Sequence, residues 1–120
     1  MEDTLITLLE TFNYPVIRQG SMPEAETYPD TFITFWCESD REVQAYSNQT
    51  FTAKSTFYLA AYSNAPATAY ELSGQILALL KANGWQMIDR GHDVASDQDT
   101  HIGRGLTVAY TETLTLNEGV

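Results

Sequence analysis

The alternation of apolar and polar positions divides the chain into a helix, a short strand, two long strands, a second helix and two further long strands. Near the start, Leu5, Leu8, Leu9 and Phe12 recur at spacings of three and four, with Ile6 alongside. At 3.6 residues per turn such positions share one face, which predicts a short amphipathic helix over Glu2 to Phe12. Asp3 or Thr4 is the expected cap. Tyr14-Pro15 is the expected stop, since a residue ahead of proline is pushed out of helical conformation. Val16 to Arg18 suits a short strand, and the turn formers and acids from Gln19 to Asp30 suit a surface loop. Thr31 to Glu38, TFITFWCE, is β-favouring and apolar on both faces, so it predicts a central strand covered on both sides.

From Ser39 the text turns polar to about Gln49, interrupted by Val43, Ala45 and Tyr46; residues 39–50 read as the tip of a long hairpin or a mobile arm. Strand character resumes over Thr52 to Tyr62, with Phe57, Leu59 and Ala61 opposing Thr56, Tyr58 and Tyr62. The second helix is the clearest element. Asn64 suits its cap and Pro66 its first turn, where a missing amide proton costs little. Ala69, Leu72, Ile76, Leu79 and Leu80 form its stripe, and Gly84 supplies a left-handed stop. Gly74, inside the helix, predicts a close approach to the sheet. Trp85 to Leu116 then reads as strand, loop and strand. In its second arm Leu106, Val108, Tyr110, Leu114 and Leu116 fall on one face, and Thr107, Ala109, Thr111, Thr113 and Thr115 on the other. The intervening loop, Gly91 to Gly105, gathers acids, both histidines and an arginine.

This order predicts an α+β fold: an antiparallel-rich mixed sheet of four to five strands with two helices packed mainly on one face. The 120 residues suit one domain, 1–120, long enough to bury roughly two thirds of the surface of its unfolded form. The single Cys37 lies in an apolar run and cannot form an internal disulfide, so a buried reduced thiol is expected, as in an intracellular protein. No basic segment followed by an apolar run opens the chain, and no apolar stretch approaches the roughly eighteen residues of a membrane span. The expectation is a soluble protein with no export signal and no membrane partner. Six basic against sixteen acidic residues give a net charge of −10, spread along the chain. That balance disfavours a binder of phosphate backbones, which needs clustered Lys and Arg.

The 91–105 loop concentrates the candidate chemistry: His92, Asp93, Asp97, Asp99, His101 and Arg104. Imidazole and carboxylate both suit divalent metals, and His92, Asp93 and His101 are the residues a metal-dependent phosphohydrolase would use. The spacing matches no metal signature, however, and a solvated hairpin loop with Gly91, Gly103 and Gly105 at special conformations explains the same residues. Cys37 lies mid-strand among apolar neighbours, which suppresses its thiolate. No serine sits in a Gly-x-Ser-x-Gly elbow, and Gly103-Arg104-Gly105 leads into a strand instead of opening a phosphate-binding helix. The reading is therefore non-enzymatic, with no cofactor and no metal. Seven Tyr, five Phe and two Trp, several of the tyrosines at strand ends or in loops, suit either core and rim positions or an interface.

Three stretches carry a resemblance: YPDTFITFW (Tyr28 to Trp36), LLKANGW (Leu79 to Trp85) and, most specifically, GHDVASDQDTHIGRGLTVAY (Gly91 to Tyr110). They resemble a family of small proteins of siphovirus-type tailed bacteriophages and prophages, regarded as tail completion, tail terminator or head-tail joining proteins. The likeness runs from about Phe12 to Tyr110. Gln98 and Asp99 stand where the family often has proline, and Ile102 replaces a small polar residue. The resemblance implies a structural virion protein at the head-proximal end of the tail, assembled in the bacterial host cytoplasm. It implies a ring, commonly a hexamer, with the tail tube protein and the head-tail connector protein as partners and DNA passing through without specific binding. Arg41, Tyr46 and Asn48 in the arm, and His92, Asp93, Asp97, Asp99, His101 and Arg104 in the loop, are the candidate interface residues. A metal-dependent phosphohydrolase and a small cytosolic protein-binding module are the alternatives.

Overall fold

A computed structural model describes residues 2–18, 29–45, 50–94 and 101–115. Seven elements follow one another: α1 (Glu2–Glu10), β1 (Val16–Arg18), β2 (Thr31–Ala45), β3 (Thr50–Ser63), α2 (Pro66–Ala82), β4 (Gln86–Val94) and β5 (Ile102–Thr115). The strands form one sheet in the order β1-β2-β3-β5-β4. β1 runs parallel to β2 and every other pair is antiparallel. With both helices packed against this mixed sheet, the fold is α+β, as the order of elements predicts.

Register decides which residues the helices cover. Ile33 and Phe35 of β2 lie opposite Ala61 and Leu59 of β3, and Leu59 and Phe57 lie opposite Leu106 and Val108 of β5. These side chains share one face and form the core with Leu5 and Leu9 of α1 and Leu72, Ile76 and Leu80 of α2. Burying side chains of this size contributes about 1.5–3 kcal/mol each, which is why two short amphipathic helices stay attached. Trp85 closes the core, with its ring edge-on to Phe57 and Tyr110 at centroid distances of 6.0 and 5.3 Å.

The helix ends depart from expectation in informative ways. α1 begins at Glu2, so Asp3 and Thr4 sit within its first turn and do not cap it. It is stopped by Asn13, which adopts a left-handed φ of 64° that asparagine tolerates better than most residues. Pro15 lies two residues further on. In α2, Pro66 occupies the start and makes Ala65 the cap residue, with no side-chain cap bond. Asn64 is used elsewhere: its side-chain amide donates to Asp30 Oδ1 at 3.1 Å and its N–H to the Asp30 carbonyl at 2.9 Å. At the other end, Gly84 takes a φ of 88°. Its N–H donates to the Lys81 carbonyl and that of Trp85 to the Leu80 carbonyl, the paired bonds of a Schellman stop. Gly74 has no atom within 4 Å of where a Cβ would stand; it faces solvent, and the expected approach to the sheet is not made.

The long strands extend beyond the bounds expected from sequence, and for 39–45 the hairpin alternative is the one that fits. β2 continues through 39–45, paired with β3 out to Ala45 opposite Phe51, with register shifts between Cys37 and Ser39 and between Ser39 and Glu42. Likewise the stretch 91–105 is strand at both ends: β4 reaches Val94 and β5 starts at Ile102. Residues 46–49 and 95–100 lie outside the described residues. β-branched and aromatic residues on β3 and β5 extend the ladder over fourteen pairs, Thr50 opposite Thr115 through Ser63 opposite Ile102, and this long partner template draws the polar flanks into strand. β2 is also not covered throughout on both sides. Phe32 is buried, but Trp36 is 50% exposed, because no described helix lies over its face.

Candidate functional site

Because side chains alternate along a strand, the adjacent His92 and Asp93 project to opposite faces of the sheet. Asp93 is opposite Arg104 in the β4–β5 register, on the helix side. Arg104 Nη1 donates to Asp93 Oδ1 at 3.0 Å, and the Tyr70 hydroxyl of α2 donates to the same oxygen at 3.0 Å. The Arg104 guanidinium lies 4.8 Å from the Tyr70 ring centroid. Gly91, at φ 148°, leaves the space for it, since a Cβ there would come within 2.5 Å of Arg104 Nη2. The Arg104 and Tyr70 hydrogen bonds, Arg104 first, hold the Asp93 carboxyl below the usual carboxylate range. This group ties α2 to the β4–β5 edge.

His92 lies on the other, open face, opposite Gly105. Its Nε2 is 3.3 Å from the Tyr58 hydroxyl and the two rings stack at 5.9 Å. Its Nδ1 is 2.7 Å from Asp89 Oδ2, out of line for a hydrogen bond. The Gly91 N–H donates to Asp89 Oδ1 at 3.0 Å. That bond first, with His92 adding to it, holds the Asp89 carboxyl below its ordinary value. Burial pushes the Tyr58 phenol up, and the negative charges of Asp89 and Glu38 push it further. Carboxylate, imidazole and hydroxyl thus stand in a row, but the hydroxyl is a phenol held protonated. The row is a tie across strands, and its phenol is not an activated nucleophile.

Register also explains the glycines. Three rows cross the open face: Trp36, Tyr58, Thr107 and Asp89; then Thr34, Ala60, Gly105 and His92; then Phe32, Tyr62, Gly103 and Val94. A Cβ on Gly103 would stand 2.6 Å from Tyr62 Cε1, and one on Gly105 would stand 2.7 Å from His92 Nε2. The missing side chains let the Tyr62 ring, and the Tyr58–His92 pair, lie flat on the sheet. Tyr62 in turn stacks on Phe32 at 5.1 Å. At the end of this face, His101 donates through Nε2 to the Pro29 carbonyl at 2.8 Å and packs against Phe32.

The nine candidate residues are therefore not one site. His92, Asp93 and Arg104 share the β4–β5 ladder, with His92 on the face opposite Asp93 and Arg104. His101 is four residues along β5 from the His92 row, about 13 Å at strand rise. Arg41 lies in β2 at its second irregularity. Tyr46, Asn48, Asp97 and Asp99 lie outside the described residues. Among the described residues no three His, Cys, Asp or Glu side chains could share a metal ion, and no helix is long and apolar enough to cross a membrane. Tyr58, Tyr70, Asp89 and Trp36 were not singled out by sequence. Asp89 and His92 lie within one strand, but a shift in register between them conceals from simple alternation that they share a face.

The strand ends supply the other notable geometry. Pairing of β1 with β2 stops at Phe35, and pairing of β4 with β5 begins only at Ala109. Beyond these points β2, β3 and β5 continue together as a three-stranded arm out to the pairs Ala45–Phe51 and Thr50–Thr115. The chain matches no protein-family model and no curated protein.

Proposed function

We propose that this chain is a structural virion protein of a tailed phage or prophage, a tail completion or terminator subunit at the head-proximal end of the tail tube. It assembles as a ring, with six subunits as the expected number, and docks to the head connector; it breaks no bonds. One observation carries the reading: among the described residues the arm of β2, β3 and β5 runs past both flanking strands, so each long side of it lies beyond the neighbouring strand. A contact between unlike edges of successive subunits is heterologous and closes into a ring when the rotation allows, and strand addition is a common way of making it. The similarity of Gly91 to Tyr110 and the two shorter stretches to head-tail joining proteins supports the location. The charge of −10 supports a channel past which DNA slides, because like charges repel and no counterion release rewards contact. Incubated with isolated tail tubes, the purified chain should cap one tube end as a ring in negative-stain micrographs; bare tubes would reject the assignment.

A further inference from the structure

The stop that ends α2 contains a reactive pair. Of the asparagines in the chain only Asn83 is followed by glycine. The glycine nitrogen is the least shielded of backbone amides, because no Cβ stands beside it, and it can attack the asparagine side-chain carbon, Cγ. A bond forms between Gly84 N and Asn83 Cγ, the amide proton is given up, and the side-chain nitrogen departs as ammonia. Water then opens the resulting five-membered imide at either carbonyl, leaving aspartate or isoaspartate. Both residues are exposed, so water and base reach them and burial does not restrain the reaction.

The backbone restrains it instead. Asn83 has a ψ of 17°, which turns the Gly84 nitrogen towards the nitrogen of Asn83 itself and away from the Cβ side of the Cα–C bond, where ring closure needs it. The Gly84 N–H is also engaged, donating to the Lys81 carbonyl at 3.2 Å. The carboxamide is pinned as well: Asn83 Nδ2, the leaving nitrogen, donates to the Leu79 carbonyl at 2.8 Å. All three restraints belong to the last turn of α2 and are lost together when that turn opens, and helix ends open at far lower cost than a core. The product cannot restore them. A carboxylate at 83 has no proton to give the Leu79 carbonyl and faces the negative end of the helix dipole. Isoaspartate adds a backbone carbon just ahead of the Gly84 and Trp85 N–H groups that donate to Lys81 and Leu80, and Trp85 is the residue that closes the core on Phe57 and Tyr110.

We propose that Asn83–Gly84 is a modification site gated by the fold: it deamidates in chains whose α2 stop has opened, and the product keeps the stop from closing again. This inference is independent of where the protein works. The test incubates the full chain, folded and in urea, at mildly alkaline pH and follows residue 83 by peptide mapping with detection of isoaspartate. The folded chain should react at least about tenfold more slowly than the unfolded one. Ala82→Gly, at an exposed position in the last turn, weakens the helix without touching the reacting groups. It should speed the folded reaction about two- to fivefold and leave the rate in urea unchanged. Asn83→Asp, the product made directly, should unfold at a lower urea concentration than the parent chain. Equal rates in folded and unfolded chains, or no reaction at 83 in urea, overturn the gate. So does an Ala82→Gly chain that is no faster than its parent when folded, or faster by the same factor in urea. An Asn83→Asp chain as stable as the parent overturns the claim that the product holds the stop open.

Discussion

At the scale of single residues, the positions that matter most are those where a missing or left-handed side chain makes room for a neighbour. Gly103 tests this in sign as well as size. In an unconstrained strand, alanine in place of glycine stabilises by about 0.5–1 kcal/mol. Here the new Cβ would meet the Tyr62 ring and Val94 Cγ2 at 2.6 and 2.5 Å, so Gly103→Ala should destabilise by about 1–3 kcal/mol in urea unfolding; a gain in stability would refute the account of the flat ring. Titration provides a second test. Because the folded chain holds the Asp89 and Asp93 carboxyls below their usual range, the unfolded chain takes up protons first as the pH falls. The stability they contribute is therefore complete above the ordinary carboxylate range near 4 and lost as the pH drops through the lower folded values. Asp93→Asn should flatten the acid limb of stability between about pH 5 and 2, and an unchanged limb would contradict the Arg104–Asp93–Tyr70 tie. Tyr58, pushed up, acts oppositely: its contribution is present below about pH 10 and lost above. Of these residues the sequence marks Gly103, Gly105, His92, Asp93 and Arg104 as unusual. It does not show that adjacent His92 and Asp93 serve opposite faces, because that follows only from their place within a strand.

Elements whose pattern is dictated by local burial were legible from sequence, and elements stabilised by a partner strand were not. The α2 stripe and its Gly84 stop follow from helical period and backbone conformation alone, so both are readable in the text. The outer halves of β2 and the ends of 91–105 are polar, and their strand conformation depends on the ladder offered by β3 and β5; nothing local announces it. The same distinction yields an expectation for the arm. Among the described residues the main core cluster takes none from 40–54, where Ala53 alone is a buried apolar residue, so replacing that segment by a short Asn-Gly turn should leave a folded body. Its melting temperature should fall by no more than a few degrees, consistent with a change of about 1 kcal/mol or less. Loss of cooperative unfolding by circular dichroism would show instead that the arm is part of the folding unit.

For the whole molecule, the described part is elongated, 56 × 28 × 22 Å, with a helix-covered body, a three-stranded arm and one open sheet face. An acidic, elongated chain of this kind suits the proposed closed assembly around a passage better than chemistry in a cleft. The decisive measurement is negative-stain electron microscopy of isolated tail tubes incubated with the intact chain or with the chain whose 40–54 segment is replaced. Rings closing one end of the tubes with the intact chain, and bare ends with the shortened one, are the expected result; bare ends with both, or identical caps with both, would contradict a subunit that assembles through its arm.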